Sequence, residues 1–81
     1  MRRILFVVNP AAGSGKSKKV LPIIHDVCAE NNIEYYIKVS NRENQITELV
    51  EKEIQKRVYT DIVAVGGDGT IVEVINGMLN T

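Results

Sequence analysis

Residues 62–78 read IVAVGGDGTIVEVINGM. A short continuous apolar run, Ile62 to Val65, stops at a cluster of glycines, Gly66, Gly67 and Gly69. It then passes into a segment of helical periodicity carrying Ile71, Val74, Ile75 and Met78. Continuous, β-branched apolar runs mark strands buried on both faces. Thr70 and Glu73 fit the S/T-x-x-E box that opens a helix. The stretch therefore reads as strand, tight turn and helix, the repeating unit of a parallel α/β sheet.

The rest of the chain follows the same pattern. Ile4 to Val8 is a second continuous apolar run. Ile33, Tyr35, Ile37 and Val39 instead alternate with Glu34, Tyr36 and Lys38, which predicts a strand wet on one side and so an edge. Val20, Ile23, Ile24, Val27 and Cys28 form one helical stripe, and Ile46, Leu49, Val50 and Ile54 another. Glu48, Glu51, Lys52, Glu53 and Lys56 fall outside that second stripe and read as a solvated face. Unless the first helix starts late, Pro22 sits inside it and predicts a kink or a missing bond to the carbonyl of Lys18.

The expected fold is α/β, a three-stranded parallel sheet of order 2-1-3 with helices on both faces, Rossmann-like in its right-handed crossovers. Such a sheet leaves the apolar third strand with a bare edge, and bare edges are normally covered. The reading is of the first part of a larger protein, or of a chain that needs a partner, with homo-oligomerisation through the exposed sheet edge as one form of that.

Composition narrows the functional classes. The 81 residues carry 10 basic and 10 acidic side chains, so no bulk charge draws the chain to nucleic acid. No apolar run approaches the length of a membrane span, and the MRRILFVVN start has too short an apolar stretch for a signal peptide. The single cysteine, Cys28, forbids an internal disulfide and fits a cytoplasmic setting. Cys28 and the only histidine, His25, read as packing rather than as metal ligands, because two donors leave a tetrahedral ion half-coordinated. Tyr35 and Tyr36 are assigned to packing on opposite faces of the edge strand.

Two glycine-rich turns remain to be explained. Residues 9–17, NPAAGSGKS, end like a P-loop, but Pro10 stands where the loop's first glycine belongs and removes a backbone donor. The dinucleotide fingerprint fails at Lys18, which replaces its third glycine. GGDGT is the more informative turn, since closely spaced glycines beside a helix start leave amides free for an anion. With order 2-1-3 the exits of strands one and three lie side by side, where open α/β sheets bind ligands. Two such loops on one crevice suggest a di- or triphosphate.

Together, NPAAG after strand one and GGDGTIVEVING after strand three resemble the catalytic domain of the diacylglycerol kinases, a family that includes bacterial lipid kinases, sphingosine kinases and ceramide kinases. The match spans essentially the whole chain in order and spacing. GGDG alone is shared with the NAD kinases, so the fold is equally described as an NAD kinase-like N-terminal fragment. The resemblance implies that residues 1–81 are the N-terminal part of an ATP-binding catalytic domain, with the remainder of that domain and a C-terminal domain absent. It implies an ATP site lined by Asn9, Pro10, Ala11, Ala12, Gly13, Gly66, Gly67, Asp68, Gly69, Thr70, Ile71 and Val72, with Ser40 after the second strand contributing a hydroxyl.

Ser40 also fits a capping box with Glu43, and both roles stay open. Family members often carry Asn or His where this chain has Val72, which leaves a backbone contact there. Asp68 is implied near the terminal phosphates, through Mg²⁺ or its waters or by hydrogen-bonding within the loop, and is the catalytic candidate. It is also the only credible metal ligand, and one carboxylate defines no metal site. The implied activity is transfer of the ATP γ-phosphate to a lipid hydroxyl, the membrane lipid being bound by the missing domain. An NAD kinase-like enzyme or a non-catalytic nucleotide-binding module is the alternative. Lys16, Lys18 and Lys19 read as a solvated helix face, with attraction to phosphate or to the inner membrane surface as the alternative.

Overall fold

A computed structural model describes residues 1–40 and 45–80, with residues 12–14 as backbone only. Three strands, β1 (Arg3–Val8), β2 (Glu34–Val39) and β3 (Asp61–Val65), form one parallel sheet of order β2-β1-β3. The helices are α1 (Val20–Glu30), α2 (Gln45–Gln55) and α3 (Asp68–Leu79), and a 3-10 segment, Ala12–Lys19, leads into α1. The expected α/β order is observed, with the alternating strand at one edge.

Period-two geometry divides β1 between two layers. Leu5 and Val7 are fully buried and pack with Ile46 and Val50 of α2 and Val74 of α3. The alternate residues Ile4 and Val8 are also buried, on the face that carries α1 with its buried Ile24 and Cys28. Helices therefore cover both faces. On the edge strand, Tyr35 meets His25 of α1 edge-on and through a hydrogen bond, and Tyr36 meets Tyr59 edge-on. Both tyrosines pack, as expected, and on opposite faces.

α2 and α3 lie against each other at unusually close quarters. A Cβ on Gly77 would sit 2.7 Å from Val50 Cβ and 2.8 Å from the Thr47 carbonyl oxygen. No side chain larger than hydrogen fits there without a shift. The Thr47 hydroxyl adds a hydrogen bond to the Glu73 carbonyl at 3.0 Å, and Asn80 reaches Glu51 at 2.6 Å. Contacts 47 to 73 and 51 to 80 in the same sense make the two helices parallel neighbours, with their amino ends together.

Two expectations change, and a third is decided by the late start of the first helix. Pro22 falls in the first turn of α1, because the chain before Val20 is 3-10. The first turn has N–H groups without intrahelical acceptors, so the bond expected to be lost at Lys18 is not one this helix requires. Glu53, assigned to the solvated face, is 7% exposed. Its carboxylate accepts from the Tyr59 hydroxyl at 2.6 Å and pairs with Lys56 at 2.8 Å, and those two donors make burial tolerable. Finally, only part of each outer helical stripe is covered: Ile24 and Cys28 are buried but Ile23 and Val27 are exposed, and in α3 Val74 is buried but Ile71, Ile75 and Met78 are not.

Candidate functional site

The carboxyl ends of the three strands are tied together by backbone hydrogen bonds. The Asn9 N–H donates to the Val65 carbonyl at 3.0 Å, and the Ser40 N–H donates to the Val8 carbonyl at 3.0 Å. These bonds extend both ladders by one residue and bring the three exits into one row. Because α1 leaves on one face while α2 and α3 occupy the other, the row lies at the switch point of the sheet.

The first exit turns sharply. Asn9 Oδ1 accepts the Ala11 N–H at 3.0 Å, an Asx turn that holds the NPAA corner. Asn9 and Pro10 are half-buried and Ala11 is exposed; Ala12 and Gly13 open the 3-10 segment. Within that segment Gly15 has φ +88°, the left-handed region that favours glycine. Lys16, Lys18 and Lys19 are exposed, as a solvated face requires.

The glycine turn differs from the sequence expectation in its register. α3 begins at Asp68, with Gly67 as its N-cap in extended geometry and no side-chain cap. Thr70 is thus the third residue of the helix, not its cap, and the Thr70–Glu73 capping box does not form. The Gly67 carbonyl instead accepts the N–H groups of Thr70 at 3.0 Å and Ile71 at 3.2 Å. Thr70 is buried, and the reason lies in Gly66: a Cβ there would fall 2.4 Å from Thr70 Oγ1 and 2.8 Å from its Cβ. Glycine at 66 lets the threonine fold beneath the turn. One turn on, Glu73 Oε1 is buried with no hydrogen-bond partner.

Gly67 and Gly69 have no such internal reason. A Cβ at either would meet nothing within 4 Å, and neither has a positive φ. The fold permits alanine at both, so the openness of the backbone is on the outside of the turn. Gly67, Asp68 and Gly69 are exposed at the amino end of α3, where the helix dipole and unbonded N–H groups favour an anion. Ile71 and Val72 are exposed just beyond.

Ser40 closes the row on the other side. It is buried, and its hydroxyl donates to Gln45 Oε1 at 2.8 Å, joining the end of β2 to the first residue of α2. Glu43, its expected capping partner, lies outside the described residues. Nothing in the sequence pattern pointed to Gln45, since a side-chain pair five residues apart has no fixed geometry across a loop. A hollow of about 360 Å³ lies beyond Ser40, between β2 and α2, and is lined in part by Lys38, Glu48, Lys52 and Glu53. Among the described residues no three His, Cys, Asp or Glu side chains are grouped as a metal would need.

The turns brought together are thus NPAAG and GGDGT, with Ser40 beside the first of them. No helix of the described residues is long and apolar enough to cross a membrane. Comparison with known proteins agrees with the two motifs. The model of the diacylglycerol kinase catalytic domain matches residues 3–81. The chain is 32% identical over 78 residues to sphingosine kinase 1 of Homo sapiens, covering 95% of this chain and 20% of that protein. It is 35% identical over 72 residues to a diacylglycerol kinase of Staphylococcus haemolyticus, covering 89% of this chain and 22% of that protein. A ceramide kinase of Arabidopsis thaliana is 29% identical over 80 residues, covering 96% of this chain and 13% of that protein. The chain spans about a fifth of the length of the first two of these relatives. It belongs to the diacylglycerol kinase catalytic domain family.

Proposed function

We propose that this chain is the ATP-binding portion of a lipid kinase that transfers the γ-phosphate of ATP to a lipid hydroxyl, of diacylglycerol or a related lipid. The observation that carries this reading is the pair of glycines, Gly67 and Gly69, that the fold itself does not need. An exposed turn without side chains at the amino end of a helix lets a phosphate chain approach main-chain N–H groups directly. The relatives, lipid kinases by name, support a lipid acceptor over a soluble one.

Phosphoryl transfer asks the protein for position and charge stabilisation more than for covalent chemistry. The amides of Gly67, Asp68 and Gly69 would offset phosphate charge, and Gly66 with the buried Thr70 would hold the turn rigid. The Asn9–Ala11 corner would form the facing wall. Asp68 is the carboxylate this chain offers to Mg²⁺, which would screen the phosphate oxygens when bound. Ser40 would take part as a buried support of the row, its hydroxyl being engaged with Gln45. The lipid site and a general base would lie in polypeptide other than these residues, so the chain alone should bind nucleotide weakly and turn over little or none. The test is calorimetric titration of the chain with ATP and Mg²⁺. Weak, saturable binding that Asp68→Ala weakens further is expected; unchanged binding in the variant removes Asp68 from the site.

A further inference from the structure

The side of β2 that turns away from β1 carries its charges in a set order. The Ser40 N–H bonds the Val8 carbonyl, so the even-numbered backbone groups of β2 face β1 and those of Tyr35, Ile37 and Val39 point outward. Along the face that carries α2 the side chains run Glu34, Tyr36, Lys38: negative, aromatic, positive. Glu34 is held by Arg3 and by the Tyr36 hydroxyl at 2.7 Å. Lys38 is exposed and enters none of the ion pairs among the described residues. Tyr36 is 40% exposed on one face and Val39 51% on the other, so no helix closes over the rim of the strand.

A lysine in such a place ordinarily keeps other strands away. A second copy of β2, run antiparallel, is the exception. With Tyr36 set opposite Tyr36, each Glu34 stands opposite the Lys38 of the other copy, and each Tyr35 opposite an Ile37. Tyr35 and Ile37 are the residues whose backbone groups point outward, so they fall on the positions that exchange both ladder bonds. A shift by two residues in either direction sets Lys38 against Asn32 or Tyr36, and a shift by four sets like charges against each other. One register alone satisfies both the charges and the backbone.

We infer that β2 is a self-association strand, at which two copies of this chain join antiparallel about a twofold axis passing at Tyr36. The contact is isologous: each copy gives the same carboxylate and the same ammonium, and the two ion pairs are equivalent. Charge order selects this occupant, since the lysine that deters an unrelated strand is matched only by a partner with a carboxylate four residues away from it. One short strand a side buries little surface, so the dimer is weak and concentration-dependent. Nucleotide plays no part in it.

The test is sedimentation velocity of the chain from micromolar to millimolar concentration. A monomer–dimer equilibrium is expected, and Lys38→Glu and Glu34→Lys should each weaken it by about tenfold or more, because like charges then face each other at both places. Mixed together, the two variants should regain the affinity of the parent, since every facing pair is again opposite in sign. Glu34→Lys also breaks the bond to Arg3. Should it fail to fold, cysteine variants carry the test. Positions facing each other without ladder bonds stand about 4.5 Å apart at Cα, within reach of a disulfide. Tyr36→Cys should therefore cross-link into a dimer on treatment with diamide, and Lys38→Cys should not. A monomer at every concentration overturns the inference. So does a dimer indifferent to Lys38→Glu, or cross-linking of Lys38→Cys as ready as that of Tyr36→Cys.

Discussion

Gly66 and Thr70 occupy space that cannot be shared: the threonine side chain fills the volume that any Cβ at position 66 would take. Thr70 is β-branched and buried at the first turn of α3, so it has little freedom to move aside. Gly66→Ala is therefore expected to destabilise the chain by ~1–3 kcal/mol, the usual range for overpacking. Urea unfolding followed by circular dichroism measures it, and a stability equal to the parent's would mean the contact yields freely.

Gly69→Ala should behave in the opposite way. It adds a methyl group to open space inside a helix, where alanine is favoured over glycine by up to about 1 kcal/mol. If the turn receives phosphate, the same methyl obstructs it. Higher thermal stability with weaker ATP–Mg²⁺ binding in one variant would separate the needs of the fold from those of the site. Retained affinity would count against the turn as a phosphate cradle.

Gly77→Ala tests the second close approach. The added methyl group meets Val50 and a carbonyl oxygen on α2, and backbone yields less than a side chain. A loss of ~1–3 kcal/mol is expected. Since α3 also carries the glycine turn, displaced amide chemical shifts at Gly67 and Gly69 should accompany the loss.

Glu53 gives the pH dependence a sign. Burial disfavours its charge, but the bonds from Lys56 and Tyr59 outweigh that and hold its carboxyl below the ordinary value of 4.5. Tyr59 is pushed up to about 12 by burial and by the Glu53 carboxylate. A carboxyl that binds protons less readily when folded contributes stability that is complete above its unfolded pKa. That contribution is lost as pH falls through the folded one. Glu53→Gln should therefore flatten the loss of stability below about pH 4.5, while Glu34 and Asp61, lowered by Tyr36 and Arg3 and by Arg2 and Thr60 respectively, retain theirs.

Two helices end in left-handed residues that are not glycine, Asn32 and Arg57, each with φ 54°. Arginine has no local compensation for that conformation, whereas asparagine tolerates it. Arg57→Gly should raise stability by up to about 1 kcal/mol, seen as a higher melting temperature, and Asn32→Gly by less.

The sheet order was legible because burial writes itself into hydrophobic pattern: continuous at Ile4–Val8, alternating at Ile33–Val39. The paired turns were legible because glycine clusters have few purposes. The start of α3 was not, since Thr70 fits a capping box in sequence and is buried by the absence of a side chain at Gly66, a contact between neighbours that periodicity does not encode. Glu53 looked solvated because its helix position was judged without Tyr59, which lies on a later loop. Ile71, Ile75 and Met78 form a true helical stripe, and their exposure reflects packing surface that these residues do not supply for one another.

At the Asn9 corner the side-chain oxygen is engaged by Ala11, and at Ser40 the hydroxyl is engaged by Gln45. What the row of strand exits turns outward is mostly main chain. A surface of that kind has an uneven tolerance to mutation. Exchange of one side chain for another at Ile71 or Val72 leaves its chemistry nearly intact, whereas one added carbon at Gly67 or Gly69 blocks it. A saturation screen for binding should accordingly find every replacement damaging at the glycines, alanine included, and most replacements mild two residues later.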